Sequence, residues 1–321
     1  MNKTLRIVFM GTPDFAVASL DALVKNEYNI VGVITVPDKP AGRGQQIQQS
    51  AVKQYAVANN LHVLQPEKLK DEKFLSELRS LNADLQIVVA FRMLPELVWT
   101  MPPLGTFNLH GSLLPQYRGA APINRAVMNG EKETGVTTFF LQQEIDTGKI
   151  IFSERTAIDE NENAGEVHDR LMNIGAQLVV KTVKAIEEKN HPAVSQETLL
   201  HNIELKSAPK IFKEGCKINW SNDAQTIHNF IRGLSPYPAA WTEFQGHDDK
   251  IYNVKIFCAV KEIAVHNSPN GIILSDNKTF LKVTCTNGFI NVLELQLAGK
   301  KRMNVQDLLR GFPISGTWKA L

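Results

Sequence analysis

Cysteine is scarce in this 321-residue chain: Cys216, Cys258 and Cys285 stand far apart with no C-x-x-C spacing, which argues against a zinc site or a disulfide framework. No apolar run is long enough to cross a bilayer, and the opening "MNKTLRIVFM" enters a strand-like segment without a signal-peptide pattern. A cytoplasmic protein with buried thiols is therefore expected. There is no G-x-x-x-x-G-K-[ST], which argues against nucleoside triphosphate chemistry. The first turn after a strand holds one glycine, Gly11, where a dinucleotide pyrophosphate needs G-x-G-x-x-G. Ser112 lacks the G-x-S-x-G elbow of a serine nucleophile, so its hydroxyl reads as a turn group. Internal repeats and low-complexity tracts are also missing.

What is present suits a soluble globular protein: 43% hydrophobic and 21% charged residues, in a length that fits two domains. Net charge is only +2, but it is uneven. From residue 205 onward there are 15 Lys and Arg against 9 Asp and Glu, which leaves 20 against 24 before it. A basic C-terminal part on a slightly acidic N-terminal part hints at a polyanionic partner.

The first half alternates apolar strand runs with helical periodicity. "LRIVFM", "NIVGVITV", "HVLQ" and "ADLQIVVAF" are separated by helical stretches such as "DFAVASLDALVKN". Continuous apolar strands between helices predict an α/β, Rossmann-like, doubly wound and mostly parallel sheet. Two strands meeting at a turn near Asp146-Thr147-Gly148 and a long helix over 164–190 complete this part. Residues 191–208 have little periodicity and read as a linker. Beyond them come a helix near 223–234 and short β-rich segments, "IYNVKIFCAV", "GIILS", "FLKVTCT" and "GFINVLELQL". They predict a C-terminal β-barrel of the OB kind. The expected organisation is a catalytic domain over 1–190, a linker over 191–208 and a barrel over 209–321.

In open parallel sheets, ligands bind beyond the C-terminal ends of strands. Asn108 and His110 end the strand "GTFNLH" and, two residues apart, face the same side. Asp146, expected at another strand end, is the best-placed carboxylate to orient or charge the imidazole. An amide N–H for an oxyanion, a histidine for an amine proton and a carboxylate behind it suit acyl transfer to an amine. The segment after His110 carries Pro115, Gly119 and Pro122, so it forms a shaped loop before any helix resumes and keeps the strand end open. A second loop, "PDKPAGRGQQIQQS" over 37–50, is expected to be mobile, with Arg43 between glycines able to reach a phosphate or a base.

Together, "FMGTPDFAV", "DKPAGRG", "NLHGSLLPQYRGAAPI" and "DTG" resemble the methionyl-tRNA formyltransferase family, in the same order and at similar spacing. The resemblance continues through "APKIFKEGCKINW", "IRGLSPYPAAW" and "LQLAGKKRMNVQDLL", so it covers nearly the whole chain. It implies transfer of a formyl group from 10-formyltetrahydrofolate to the α-amino group of methionine on initiator tRNA. The family's catalytic Asn, His and Asp fall on Asn108, His110 and Asp146. Its folate-site signature falls on Ser112, Leu113, Leu114 and Pro115, with Phe91 and Arg92 where the family has residues near the pterin. Its tRNA-contacting loop falls on 37–49, with Lys39 and Arg43; Lys206, Lys210 and Lys213 near the domain junction are further candidate tRNA contacts. Folate and tRNA would bind as substrates, with no tightly bound cofactor, no metal and no need of more than a monomer.

Two positions depart from the family pattern. Arg92 stands where A-Y-G would place a glycine, and Glu144 stands where a glycine often precedes the catalytic Asp by two. The same trio would also serve an amino-sugar nucleotide formyltransferase or a formyltetrahydrofolate hydrolase. "DKPAGRG", "DTG" and the basic second part favour the tRNA-directed reading, and "GTPDF" is a poor phosphate loop for a glycinamide ribonucleotide enzyme. A non-catalytic RNA-binding protein has no need of the trio.

Overall fold

The computed structural model describes residues 5–41, 46–200, 204–247 and 249–321. The chain divides by packing into two compact units that interleave along the sequence. The first comprises Met1–Gly119, Gly135–Thr156 and His168–Ser207; the second comprises Ala120–Thr134, Ala157–Val167 and Ala208–Leu321.

In chain order the elements up to the end of the long helix are β1 (Arg6–Gly11), α1 (Asp14–Lys25), β2 (Asn29–Ile34), β3 (Lys39–Ala41), β4 (Gln46–Gln48), α2 (Ala51–Ala58), β5 (Val63–Leu64), α3 (Glu72–Ser80), β6 (Leu85–Val89), α4 (Glu96–Trp99), β7 (Thr106–His110), α5 (Pro122–Met128), β8 (Glu133–Phe140), β9 (Ile150–Ala157) and α6 (Ala164–Glu187). Seven strands form one sheet in the order β5-β2-β1-β6-β7-β8-β9. β5, β2, β1, β6 and β7 run parallel, and every residue of β6 is buried. The direction reverses at β8, which pairs antiparallel with β7. β7 is thus an inner strand, with Phe107 and Leu109 in the core and Asn108 and His110 on the opposite side.

Gly11 has a packing role at the end of β1. A Cβ there would stand 2.6 Å from the Cβ of Ala16, so the glycine admits α1 close to the sheet. Phe15, Leu20 and Leu23 of α1 then bury their side chains. The segment 37–50, expected as a mobile loop, is partly regular. β3 and β4 form a two-stranded antiparallel ribbon, in which Lys39 pairs with Gln48 and Ala41 with Gln46. A ribbon without a sheet beside it tolerates Pro40, because its missing N–H breaks no second ladder. Arg43 lies outside the described residues.

The second unit contains α7 (Ala224–Leu234), β10 (Ala240–Gln245), β11 (Ile251–Ile263), β12 (Ile272–Ser275), β13 (Leu281–Cys285), β14 (Gly288–Leu297), β15 (Met303–Asn304), α8 (Val305–Gly311) and β16 (Trp318–Ala320). The strand order β11-β10-β16-β12-β13-β14 is closed by pairing of β11 with β14, giving a six-stranded antiparallel barrel with β15 beside β14. Phe244, Ile256, Leu281, Val283, Ile290, Val292 and Leu295 fill it. α7 packs against β11 and β14, capped by Asp223, whose carboxylate accepts from the Thr226 N–H. α5 packs on α7 in the same unit: the Asn124 amide donates to the Gly233 carbonyl at 2.8 Å, and a Cβ on Gly233 would meet Met128 at 2.4 Å.

Candidate active site

The end of β7 delivers the amide and the imidazole side by side. The side-chain amide of Asn108 is half-buried and makes no hydrogen bond among the described residues. His110 is buried, with the ring of Phe139 edge-on to its own at 6.5 Å between centroids and 84° between planes. Its Nε2 lies 2.9 Å from the carbonyl oxygen of Tyr117. A carbonyl only accepts, so Nε2 carries a proton, and in the neutral ring Nδ1 is the acceptor. Nδ1 faces Asp146 Oδ2 at 3.8 Å, an ion-pair distance too long for a direct hydrogen bond. Nδ1 is therefore the ring nitrogen that faces the carboxylate.

The loop after His110 folds on itself, as its prolines and glycine predict. Ser112 Oγ donates to the Gln116 carbonyl at 2.6 Å, and Thr137 Oγ1 donates to the Ser112 carbonyl at 2.7 Å. The Ser112 hydroxyl is thus spent within the turn. The Leu114–Pro115 peptide is cis, and Leu114 packs against Phe139 and Ile150. The chain then returns over the strand end so that Tyr117 meets His110, with Tyr117 and Gly119 both at positive φ.

Asp146 sits within the connection between β8 and β9, instead of at a strand end. β8 stops at Phe140, and the intervening turn is closed by Thr147 Oγ1 donating to the Glu144 carbonyl at 3.0 Å. Glu144 is exposed and is not at positive φ, so its position does not need glycine. Asp146 itself has φ +55°, a left-handed backbone that costs a non-glycine residue on the order of 1–3 kcal/mol. Its Oδ2 accepts from the Gly119 N–H at 2.9 Å. Its carbonyl accepts from Gln196 Nε2, also at 2.9 Å. Gln196, Arg118 and Tyr117 went unrecognised in the sequence. Gln196 falls in an aperiodic stretch, and no local signal marks a glutamine there as buried.

The remaining candidates are dispersed. Leu113 is half-buried and Pro115 buried beside the loop just described. Phe91 packs on the cluster of Val8, Met10 and Val88 behind the parallel strands. Arg92 donates to the carbonyls of Pro66 and Glu67, the latter at 2.8 Å, while its Nε is buried without a partner among the described residues. Burial pulls its pKa below the ordinary arginine value. The residue that replaces a glycine therefore spends its guanidinium on a neighbouring loop, and Ala90 before it takes φ +47°. Lys39 is exposed on β3. Lys206, Lys210 and Lys213 are exposed; Lys210 Nζ lies 5.5 Å from the Phe212 ring centroid. Lys213 also lines a cavity of about 710 Å³ in the second unit, with Trp241, Asn253 and Lys255. None of the trio lines that cavity.

A family model described as formyl transferase matches residues 5–183, and one described as formyl transferase, C-terminal domain, matches residues 210–313. The methionyl-tRNA formyltransferase of Parabacteroides distasonis is 60% identical over 313 residues, 97% of each chain. That of Bacteroides fragilis is 58% identical over 318 residues, 99% of this chain and 98% of the relative. Among solved structures, an N-formyltransferase from Helicobacter canadensis, bound to folinic acid and dTDP-3-aminofucose, has a TM-score of 0.64 at 20% identity, covering 93% of this chain and 100% of that one. HypX from Aquifex aeolicus with tetrahydrofolic acid also has a TM-score of 0.64, at 16% identity, covering 96% of this chain and 47% of that one. At such identities the solved structures establish the shared fold. With both domain patterns matched and relatives above half identical along almost its whole length, the chain belongs to the methionyl-tRNA formyltransferase family.

Proposed function

We propose that this chain transfers the formyl group of 10-formyltetrahydrofolate to the α-amino group of methionine carried by initiator tRNA. The observation that carries the reading is the convergence of an amide unpartnered among the described residues, an imidazole and a carboxylate at one end of β7, in a chain of this family. In the reaction the neutral amine attacks the formyl carbon. The carbonyl oxygen takes up the negative charge, and Asn108 donates its amide N–H to it. The new N–C bond forms, the bond from carbon to N10 breaks, and one proton passes from the amine to the departing N10. Nδ1 of His110 carries that proton, because Nε2 is committed to Tyr117. Asp146, 3.8 Å away, stabilises the imidazolium while it exists.

The folate would run along Leu113, Leu114 and Pro115 toward Phe91, where Ser112 contributes through the shape of its turn and Arg92 by bracing the 66–67 loop. The tRNA would be held by the basic stretch after residue 204, including the lysines at 206, 210 and 213, with Lys39 and Arg43 reaching the acceptor end. Purified protein with 10-formyltetrahydrofolate and methionyl initiator tRNA should yield formyl-methionyl-tRNA, with elongator tRNA reacting far less. His110→Ala or Asp146→Ala should lower kcat by orders of magnitude and leave tRNA affinity nearly unchanged. Labelled formyl appearing only as formate, or only on a sugar nucleotide, would overturn the proposal.

A further inference from the structure

Behind the reacting groups lies a second set of polar contacts that no reacting atom uses. Gln196 is 2% exposed, and all its amide capacity is directed inward. Its Nε2 donates to the carbonyls of Asp146 and Gly148, each at 2.9 Å. Its Oε1 accepts from Arg118 twice, from Nε at 3.1 Å and from a terminal nitrogen at 2.6 Å. Carbonyls only accept and a guanidinium only donates, so this amide has a single satisfactory orientation. Arg118 in turn stands between Tyr117, whose carbonyl meets His110 Nε2, and Gly119, whose N–H holds the Asp146 carboxylate. Three consecutive residues and one glutamine thus tie both sides of the His110–Asp146 pair. The run is itself clasped: Gln116 Nε2 donates to the Glu204 carbonyl at 2.9 Å, and the Tyr117 N–H donates to the Lys206 carbonyl at 2.7 Å.

We infer that Gln196, oriented by Arg118, is a positioning residue for Asp146, fixing the distance at which its carboxylate faces His110. The inference rests on the catalytic reading of the trio. Asp146 needs such a hold because its left-handed backbone and half-exposed turn would otherwise relax. Fixing only its carboxylate would leave the peptide free to pivot about the Gly119 hydrogen bond.

The test is Gln196→Met, which keeps the length and buried volume and removes the amide. Formylation kcat should fall about 10- to 100-fold, the loss expected for misplacement on the order of 1 Å. KM for folate and tRNA should stay within about threefold, and the limb of the kcat–pH profile that reports the His110–Asp146 pair should move. Arg118→Ala should show the same split, and Arg118→Lys, which restores a donor to Oε1, should recover part of the loss. Arg118→Ala also carries the test if Gln196→Met fails to fold. Asp146→Ala is run beside them. If Asp146→Ala is inactive while Gln196→Met and Arg118→Ala keep wild-type kcat and pH profile, the positioning role is wrong and the trio stands. If Asp146→Ala turns over normally, the trio itself falls.

Discussion

Replacing Gly148 by alanine should separate placement of Asp146 from binding of either substrate. A Cβ built on Gly148 stands 1.6 Å from the Phe140 carbonyl oxygen and 2.8 Å from its carbon. Non-bonded carbon and oxygen need roughly twice the shorter distance, so the contact must open by more than about 1 Å. Phe140 cannot supply that movement cheaply. It is paired with Phe107 in the strand that carries Asn108, and its N–H donates to Lys149. The 141–149 turn must move instead, and Gly148's own carbonyl is one of the two held by Gln196. Displacing Asp146 by about 1 Å predicts a loss on the order of 100-fold in kcat, about 2.7 kcal/mol in the barrier. Single-turnover formylation with enzyme in excess measures this directly, while fluorescence anisotropy follows tRNA affinity, which should hold within about threefold. Gly311→Ala is the control, since a Cβ there meets nothing within 4 Å. A Gly148→Ala rate within threefold of wild type would refute the claim that this turn sets the carboxylate.

Burial first, with the Arg232 and Lys261 cations nearby, pushes the His228 imidazole down to about 4, and its Nδ1 has no hydrogen-bond partner among the described residues. The unfolded chain takes up a proton near pH 6.5 that the folded unit refuses, so stability is unaffected above that pH and declines as pH falls toward 4. Between pH 7.5 and 5 the loss should be about 2 kcal/mol in denaturant titrations, and His228→Gln should remove it. Phe139→Ala, at a side chain with no exposure, should cost about 3–5 kcal/mol by chemical denaturation, whereas Phe139→Leu should cost under about 1.5 kcal/mol. Affinity for tRNA should fall linearly in log–log plots against salt, because the basic excess lies after residue 204; a flat plot would remove that stretch's charge from the binding.

Much of the fold was legible because its signals are local. Short β-branched runs such as Ile87, Val88 and Val89 between helical stretches read as buried strands, and the spacing of Phe15, Leu20 and Leu23 presents one helical face. The pair Asn108 and His110 was legible for the same reason, since period-two alternation decides their common side before any partner is known. β10 and β16 were missed. The first follows closely spaced prolines that mask its alternation, and the second is three residues long.

Everything that depends on residues distant in sequence was decided by tertiary packing. Which ring nitrogen of His110 carries the proton follows from Tyr117 O; the backbone of Asp146 follows from Gln196, fifty positions away. Arg92 departs from the family's folate-site pattern, and its guanidinium is taken by carbonyls 25 and 26 residues earlier. A sequence specifies reacting groups through their type and local periodicity. Their protonation, distance and restraint come from hydrogen bonds between chain segments brought together by burying the core, and no local pattern encodes those pairings.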